Sequence, residues 1–469
     1  MRSLLRSRRG SVAFATVVAL IPLIGVVALG GEAGSWYVTR QHAQNAADAA
    51  AYSGAMQQLC LANLPCAVAQ SMDYRAKQSA AQNGFCNAGG TSYPGSVCSA
   101  SLPSGVSQTV TITPLASWNG TAGTFVQATV SQQQPAYLAA VLGLTTVTIP
   151  ATAVAAVQRL AAPACVLALT GSISFQGSPN INAPNCGMAS NDPAKDAINF
   201  TGGGMSMNLG SLSTVGGCTG AASFCSKALT YMPAPTVDPF TALDGALTTL
   251  CGANPTVPTK CGLPPCGGST LVAYTAANPC TNDGLHITSN GAETLSPGGN
   301  TGCPTTASSC VYFISGTLKI TGTPTISGTA TFILLPGATI NNQGNAVITI
   351  TGPTTAPAPS ASLLPAALQS NAALFQYMAL YAAPCPTCST SQNSMTFGGN
   401  TNITLNGNIY APTANVTFQG NPTITVGGAG GGCGQLVAAS IAFNGNATFN
   451  NNQCGTTSVP KSQYVQLVQ

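Results

Sequence analysis

The first 31 residues combine a basic tip with a long apolar run. Residues 10–31 (GSVAFATVVALIPLIGVVALGG) contain no charged residue. A helix of this length would measure about 33 Å, enough to cross a hydrocarbon core of about 30 Å. Pro22 lies within the run and should bend the helix. The pattern predicts a single transmembrane helix over 10–31. The alternative is a cleaved signal peptide, because Ala28-Leu29-Gly30 has small residues at both cleavage-reading positions.

The next segments change from a helical to an alternating pattern. Residues 32–86 are rich in Ala, Gln and Asn and predict a helical stalk on the far side of the membrane, with a stop at Asn83-Gly84. Residues 87–160 predict a small α+β unit. Its expected elements are two strands (110–115 and 124–130) around the turn Asn119-Gly120, a short amphipathic helix (133–144) and an extended segment (146–160).

The rest of the chain is a series of short segments in which apolar residues alternate with Thr, Ser and Asn. The runs at 316–340 and 394–426 are clear examples. Such short strands, separated by glycine-containing turns, are typical of stacked coils that share one core. We therefore expect an all-β body over 161–460 that forms a right-handed parallel β-solenoid, with a β-sandwich as the alternative fold. A Cys/Pro-rich insertion is expected at 225–305 and a C-terminal tail at 461–469.

The charges of the chain are few and unevenly placed. The sequence has 13 basic and 9 acidic residues, and Arg2, Arg6, Arg8 and Arg9 all precede the apolar run. The remainder is therefore neutral and offers no basic surface for nucleic acid. The positive-inside rule predicts that the tip, residues 1–9, is cytoplasmic and that everything after residue 31 lies across the membrane.

The cysteines agree with an exported body. All 18 follow residue 59, and an even number in an exported chain indicates disulfides, whose connectivity the sequence leaves open. Cys385 and Cys388 form a CxxC. Neither a βαβ context for redox chemistry nor a second CxxC for zinc accompanies it, so a structural disulfide is expected.

Candidates for catalysis are sparse. Asp192 and Asp196 are the only close carboxylate pair with a spacing that a polysaccharide-active β-helix enzyme could use. His286 follows Asp283 by three residues, without a nucleophile motif. Loop surface is the better interpretation of both groups. We therefore predict no catalytic, cofactor-binding or metal-binding residue, and no enzymatic activity.

The N-terminal third carries the features of a known family. Arg8-Arg9-Gly10 precedes the apolar run, Trp36-Tyr37 follows it, and then come QNAADAAA (44–51) and Ser53-Gly54-Ala55. In these motifs the chain resembles TadG-like (TadE/TadG) proteins of the Tad/Flp pilus-assembly system. The resemblance does not extend to prepilin processing, since Ala15 stands where pilins have Glu, or to the metal-binding DxSxS of a von Willebrand A-type domain.

The resemblance implies a location, partners and a role. The location is the bacterial inner membrane, with a single pass, a cytoplasmic N-terminus and a periplasmic body. The implied partners are the membrane and other Tad pilus-assembly proteins or pilin. Separately, we expect self-association through the membrane helix and stalk. The implied role is that of a non-enzymatic periplasmic scaffold in pilus assembly and adherence. The first alternative is a secreted or surface-exposed adhesin that binds glycans through its β-solenoid, and the second is a polysaccharide-active β-helix enzyme.

Overall fold

The computed structural model divides the chain into two compact units. Unit 1 contains residues up to Gln158 together with Gln463–Gln469, and unit 2 contains Arg159–Ser462. The structure describes residues 8–63, 70–87, 92–98, 102–160, 162–232, 235–288, 290–354, 363–389, 392, 394–427, 433–451 and 463–469.

Unit 1 is built from a long helix and an antiparallel sheet. Helix α1 (Arg8–Asn63) runs without interruption through Pro22, and α2 (Met72–Gln82) follows it. Ser71 caps α2 by accepting a hydrogen bond from the Tyr74 N–H. The chain leaves α2 at Asn83-Gly84, where Gly84 has a φ of +80°, so the predicted helix stop is confirmed.

The sheet of unit 1 begins with the predicted hairpin. Strands β1 (Ser107–Trp118) and β2 (Thr121–Pro135) pair antiparallel, and β2 pairs antiparallel with β3 (Thr146–Arg159). Between β1 and β2, Asn119 and Gly120 both have positive φ, 46° and 80°. That is the turn geometry that matches the twist of a two-residue hairpin.

The amphipathic helix expected at 133–144 is a wrong prediction. β2 continues to Pro135, which pairs with Thr146 at the start of β3. The chain therefore has to reverse direction between these two residues, and only a short 3₁₀ turn, Ala139–Leu142, fits there. Strand pairing thus overrides the helical pattern of the sequence.

Unit 2 is mostly β. Its described α-helices are single turns, α3 (Ala222–Cys225) and α4 (Thr248–Cys251), and its 3₁₀ helices are Thr241–Leu243 and Ala366–Phe375. Its strands are β4 (Ala164–Ala168), β5 (Ile173–Gly177), β6 (Asn180–Ser190), β7 (Ile198–Phe200), β8 (Ser206–Thr214), β9 (Cys218–Thr219), β10 (Asn282–Asp283), β11 (His286–Ile287), β12 (Ala292–Thr294), β13 (Cys310–Ser315), β14 (Thr317–Ile320), β15 (Thr325–Leu334), β16 (Thr339–Asn342), β17 (Val347–Thr351), β18 (Met378–Ala382), β19 (Ser394–Phe397), β20 (Asn402–Asn406), β21 (Asn408–Phe418), β22 (Thr423–Gly427), β23 (Leu436–Gly445) and β24 (Thr448–Asn450).

These strands form three parallel ladders. The first ladder runs β10, β13, β15, β18, β21, β23, β4, β6 and β8. The second runs β11, β14, β16, β19, β21, β23, β5, β7 and β9. The third runs β12, β15, β17, β20, β22, β24, β6 and β8. An N-terminal apolar helix followed by a mostly β body is therefore confirmed, and the body pairs its strands in parallel.

The order of the ladders differs from the order of the sequence. β23 and β24, near the end of unit 2, pair with β4, β5 and β6, near its beginning. A row of phenylalanine rings crosses this junction: Phe418 to Phe443 at 5.3 Å, Phe443 to Phe175 at 5.4 Å and Phe175 to Phe200 at 4.8 Å between centroids. The two chain ends of unit 2 thus meet inside the ladders and share one core.

The ladders differ in how their strands are buried. Strands of the first ladder, such as β4, β13 and β18, are buried at every residue, whereas β20 in the third ladder alternates between buried and partly exposed positions. Burial on both faces explains why CVLA, CVYFI and MALYA are continuous apolar runs. A second hydrophobic layer covers the outer face of the first ladder and includes Leu243, Leu247, Leu368 and Phe375.

The Cys/Pro-rich segment predicted as an insertion at 225–305 supplies part of that layer. Its first half covers the first ladder, and the Tyr381 hydroxyl donates to the Leu243 carbonyl at 2.8 Å. Within it, residues 282–294 form β10, β11 and β12, at the far end of the ladders from β9. The segment therefore carries the chain from one end of the ladders to the other.

Along the chain, unit 2 lies between two strands of the unit 1 sheet, β3 and the last strand. The last strand, β25 (Gln463–Leu467), joins that sheet in the order β1-β2-β3-β25. The Val154 N–H donates to the Gln469 carbonyl at 3.1 Å, and the Val468 N–H donates to the Val154 carbonyl at 2.8 Å. Residues 461–469, predicted to be a tail, thus contain an edge strand.

Disulfides cross-link residues within each of the two units. Seven pairs of described cysteines have Cα–Cα distances between 4.4 and 6.0 Å, within the usual range for a bridge. The pairs are Cys86–Cys98, Cys165–Cys186, Cys218–Cys225, Cys251–Cys261, Cys266–Cys280, Cys303–Cys310 and Cys385–Cys388.

Candidate functional site

The first half of α1 presents apolar side chains to its surroundings. Val17 is 61% exposed, and Val26 and Val27 are both 69% exposed. The helix is long and apolar enough to cross a membrane by length and composition, and the span found begins at Ala15. Large apolar side chains exposed in this way would be unfavourable in water. The helix is compatible with a single-pass membrane anchor.

The second half of α1 is buried along a stripe of small residues. Ala43, Ala47 and Ala50 have no exposed surface. A Cβ on Gly54 would lie 3.0 Å from Val126 Cγ1 on β2 and 3.2 Å from the Cβ of Ala76 on α2. Small side chains thus let the helix approach the sheet and α2 closely. The segments expected as a separate stalk (32–86) and α+β unit (87–160) therefore belong to one packed unit.

Polar residues of the same segment hold the neighbouring elements. The Gln44 side-chain amide donates to Asp48 Oδ1 at 2.8 Å and to the Thr152 carbonyl of β3 at 3.3 Å. Ser53 donates to the Arg75 carbonyl at 3.3 Å. The QNAADAAA motif and the Ser-Gly-Ala that follows it therefore form a docking surface for the sheet and α2, and this surface is continuous with the apolar half of the helix.

The candidate catalytic groups do not assemble into a site. Asp192 lies on the loop after β6, where its Oδ1 accepts the Ala194 N–H at 2.9 Å, and Asp196 is exposed on the same loop. His286 is exposed on β11 and contacts the Thr321 hydroxyl at 3.0 Å. Asp283 forms an ion pair with Lys260 at 2.7 Å, and its hydrogen bonds with Lys260 and Ser315 lower its pKa. Each group thus has a local structural partner or faces solvent.

The cysteines of the CxxC motif are disulfide-bonded and do not belong to a metal site. Cys385 is bonded to Cys388, and the Cys385 N–H donates to Thr413 Oγ1 at 2.8 Å. Cys261 and Cys266 pair with different partners, Cys251 and Cys280. Among the residues that the structure describes, no three His, Cys, Asp or Glu side chains lie together as a metal site would require.

One cluster of ionisable side chains was not predicted from the sequence. The Tyr410 hydroxyl, buried at β21, lies at hydrogen-bond distance from both Asp238 Oδ2 and Asp244 Oδ1. One hydroxyl hydrogen therefore faces two carboxylates. Burial raises the pKa of Asp238, and the neighbouring Asp244 raises it further, against the hydrogen bonds from Phe240 and Tyr410. The sequence gives one sign of this buried face of the first ladder. An aromatic residue recurs within three of its strands, at Phe313, Tyr381 and Tyr410.

Glu293 is a second buried carboxyl that the sequence did not single out. It is 3% exposed on β12, and its Oε2 has no hydrogen-bond partner among the described residues. Burial raises its pKa, against the hydrogen bond that it accepts from the Leu271 N–H. It lies inside the core next to Tyr312, not in an open cleft.

Comparison with known proteins places the N-terminal region in a family. Residues 10–57 match the model described as "Putative Flp pilus-assembly TadE/G-like". The matched segment covers both halves of α1 described above, the apolar half and the small-residue stripe. No curated protein and no solved structure matches the chain.

Proposed function

We propose that this protein is a non-enzymatic component of Tad/Flp pilus assembly, anchored in the bacterial inner membrane and acting as a periplasmic scaffold. The observation that carries the proposal is the coincidence of the family match, residues 10–57, with a helix that is apolar and exposed in one half and docked in the other. The match supports a role in pilus assembly, and the helix supports the anchor. The four arginines that precede the apolar run support a cytoplasmic N-terminus.

The scaffold part of the proposal depends on unit 2. We interpret its three parallel ladders as a right-handed β-solenoid, because an antiparallel β-sandwich would not give this pairing. Asparagine side chains stack from turn to turn, with Asn446 donating to Asn421 and Asn421 donating to Asn400, both at 3.0 Å. Such ladders stabilise the fold without charge pairs, and the local hydrogen bonds of Asp192 and His286 support a structural role.

Complementation of a gene deletion tests this function. The deletion should abolish surface pili and adherence, and the wild-type gene should restore both. A Gly54→Leu gene, which disturbs the docked half of α1, should fail to restore them, whereas Gly34→Leu, at a helix position with open space around it, should succeed. Normal piliation in the deletion strain would refute the proposal.

Fractionation separates this proposal from the adhesin alternative. The full chain should remain with inner membranes and be accessible to protease only after the outer membrane is opened. Mature protein in the medium would instead favour the secreted adhesin. Co-purification of pilin or other Tad proteins from detergent extracts, and cross-linking of two copies through α1, would identify its partners.

A further inference from the structure

The loop between β2 and β3 is uncharged and exposes apolar side chains. Residues 136–145 (AYLAAVLGLT) contain no charged residue. Tyr137 is 77% exposed, Leu138 is 41% exposed and Leu144 is 52% exposed. A water-facing turn usually carries Asn, Asp, Ser or Gly rather than such side chains. Three large exposed apolar residues on one loop therefore indicate a non-aqueous neighbour.

Glu32 fixes the position of this loop along α1. Its carboxylate accepts the N–H groups of Tyr137 at 2.6 Å, Leu138 at 3.1 Å and Ala139 at 2.8 Å. Glu32 is the first residue after the apolar run. If the run fills the hydrocarbon core, Glu32 lies at its outer boundary, and the loop lies at the same height.

The strand that follows the loop stays close to the same part of the helix. Trp36, Tyr37 and Arg40 of α1 and Thr148, Ile149 and Pro150 of β3 line one shallow cleft. Trp and Tyr favour the headgroup level of a bilayer. The loop is thus the part of the sheet that extends furthest towards the membrane-spanning half of α1.

We propose that residues 136–145 insert into the outer headgroup layer of the bilayer and form a second membrane contact beside α1. This proposal rests on the proposed membrane anchor. The interfacial layer is about 5–8 Å thick on each side, so side chains level with Glu32 reach it without any movement of the backbone. The occupant is the lipid itself, because the loop is tied to the residue at which the membrane segment ends and carries no charge to pair with a protein.

The contact constrains the orientation of unit 1. A single helix permits rotation about its axis and tilting, whereas a helix and a loop held together by Glu32 contact the bilayer at two points. The sheet of unit 1 would then have a fixed direction relative to the membrane surface.

Depth-dependent quenching tests the contact in the full chain. The sequence contains two tryptophans, Trp36 and Trp118. The probe is Leu138→Trp combined with Trp36→Phe and Trp118→Phe. The matched control is Trp36→Phe alone, whose remaining Trp118 lies at the opposite end of β2, about 45 Å away at about 3.3 Å per strand residue. Both proteins are placed in phosphatidylcholine vesicles with bromine on the acyl chains close to the headgroup, and in unbrominated vesicles.

The expected result is a loss of about half of the emission from the probe, since an interfacial side chain lies within about 5–10 Å of the acyl boundary, and an unchanged emission from the control. Emission from the probe that is insensitive to bromine, in protein that floats with the vesicles and has the wild-type circular dichroism, would overturn the lipid contact but leave the anchor intact. Failure of the full chain to float with the vesicles would overturn the anchor and this proposal with it.

Discussion

The two units pack their cores with side chains of very different size. In unit 1 the contact between α1 and its neighbours is made by Ala43, Ala47, Ala50 and Gly54. In unit 2 the centre is filled by large side chains such as Phe175, Phe418 and Phe443, stacked at 4.8–5.6 Å with their aromatic neighbours. Close approach of the backbones limits what fits in unit 1, whereas filled volume stabilises unit 2. Enlarging Gly54 should therefore destabilise unit 1, and truncating a ring of the aromatic row should destabilise unit 2.

The positions of the tryptophans make this contrast measurable in one sample. Trp36 and Trp118 both belong to unit 1, so tryptophan emission reports on unit 1. The far-UV circular dichroism of strands comes mostly from unit 2. In the detergent-solubilised full chain, the two signals thus show which unit a substitution destabilises.

Phe443→Ala should have the largest effect, because it removes a fully buried ring from the middle of the aromatic row. We expect unit 2 to lose about 3–5 kcal/mol of unfolding free energy, seen as an earlier loss of the strand circular dichroism in urea. Tryptophan emission should change little. Tyr231→Ala, at a side chain that is 70% exposed, is the control, and an equal effect of both variants would contradict the role assigned to the row.

Gly54→Leu should have the next largest effect. It enlarges a side chain, whereas Phe443→Ala shortens one. The new side chain would meet Val126 and Ala76, and overpacking of this kind costs about 1–3 kcal/mol. The tryptophan transition should therefore move to lower urea while the strand signal of unit 2 is retained. Gly34→Leu is the matched control. A Gly54→Leu protein with an unchanged tryptophan transition would show that close approach is not required.

Asp238→Asn should have the smallest effect and depends on pH. Burial first, and Asp244 second, raise the pKa of Asp238. A carboxyl with a raised folded-state pKa contributes stability below its unfolded pKa of about 3.9, and this contribution is lost as the pH rises through the folded pKa. The variant does not titrate at this position and can donate an amide hydrogen towards Tyr410. Relative to wild type, it should gain about 1 kcal/mol between pH 4 and pH 7.

Urea denaturation of unit 2 at the two pH values checks this sign. Tyr410→Phe, which removes the donor shared by both carboxylates, should make the loss of stability with rising pH steeper than in wild type. A wild-type stability that instead increases over this range, with no difference from Asp238→Asn, would disprove the assignment.

Much of the local structure could be predicted from the sequence because local rules govern it. The apolar run, the Asn119-Gly120 hairpin and the Asn83-Gly84 helix stop each depend on neighbouring residues, and the structure has all three. The strands of the body in which apolar and polar residues alternate could also be predicted, because only one face of each of these strands is buried. The resemblance of residues 10–57 to a known family was also visible in the sequence, because it depends on a continuous local motif.

The long-range arrangement could not be predicted in the same way. No local pattern predicts that β23 pairs with β4 and β5, since any two short strands with apolar residues at matching positions are compatible partners. The helical pattern at 133–144 was misleading because the β2–β3 register decides that loop. The Asp238–Asp244–Tyr410 cluster was invisible because Tyr410 follows Asp238 by 172 residues.

The insertion of unit 2 between β3 and β25 also determines when unit 1 can be finished. β25 is the strand beside β3, and it emerges from the ribosome only after the whole of unit 2 has been made. A chain that stops early would keep an open sheet edge in unit 1, and such an edge recruits other strands. The sheet of unit 1 can therefore be completed only after the whole of unit 2 has been translated.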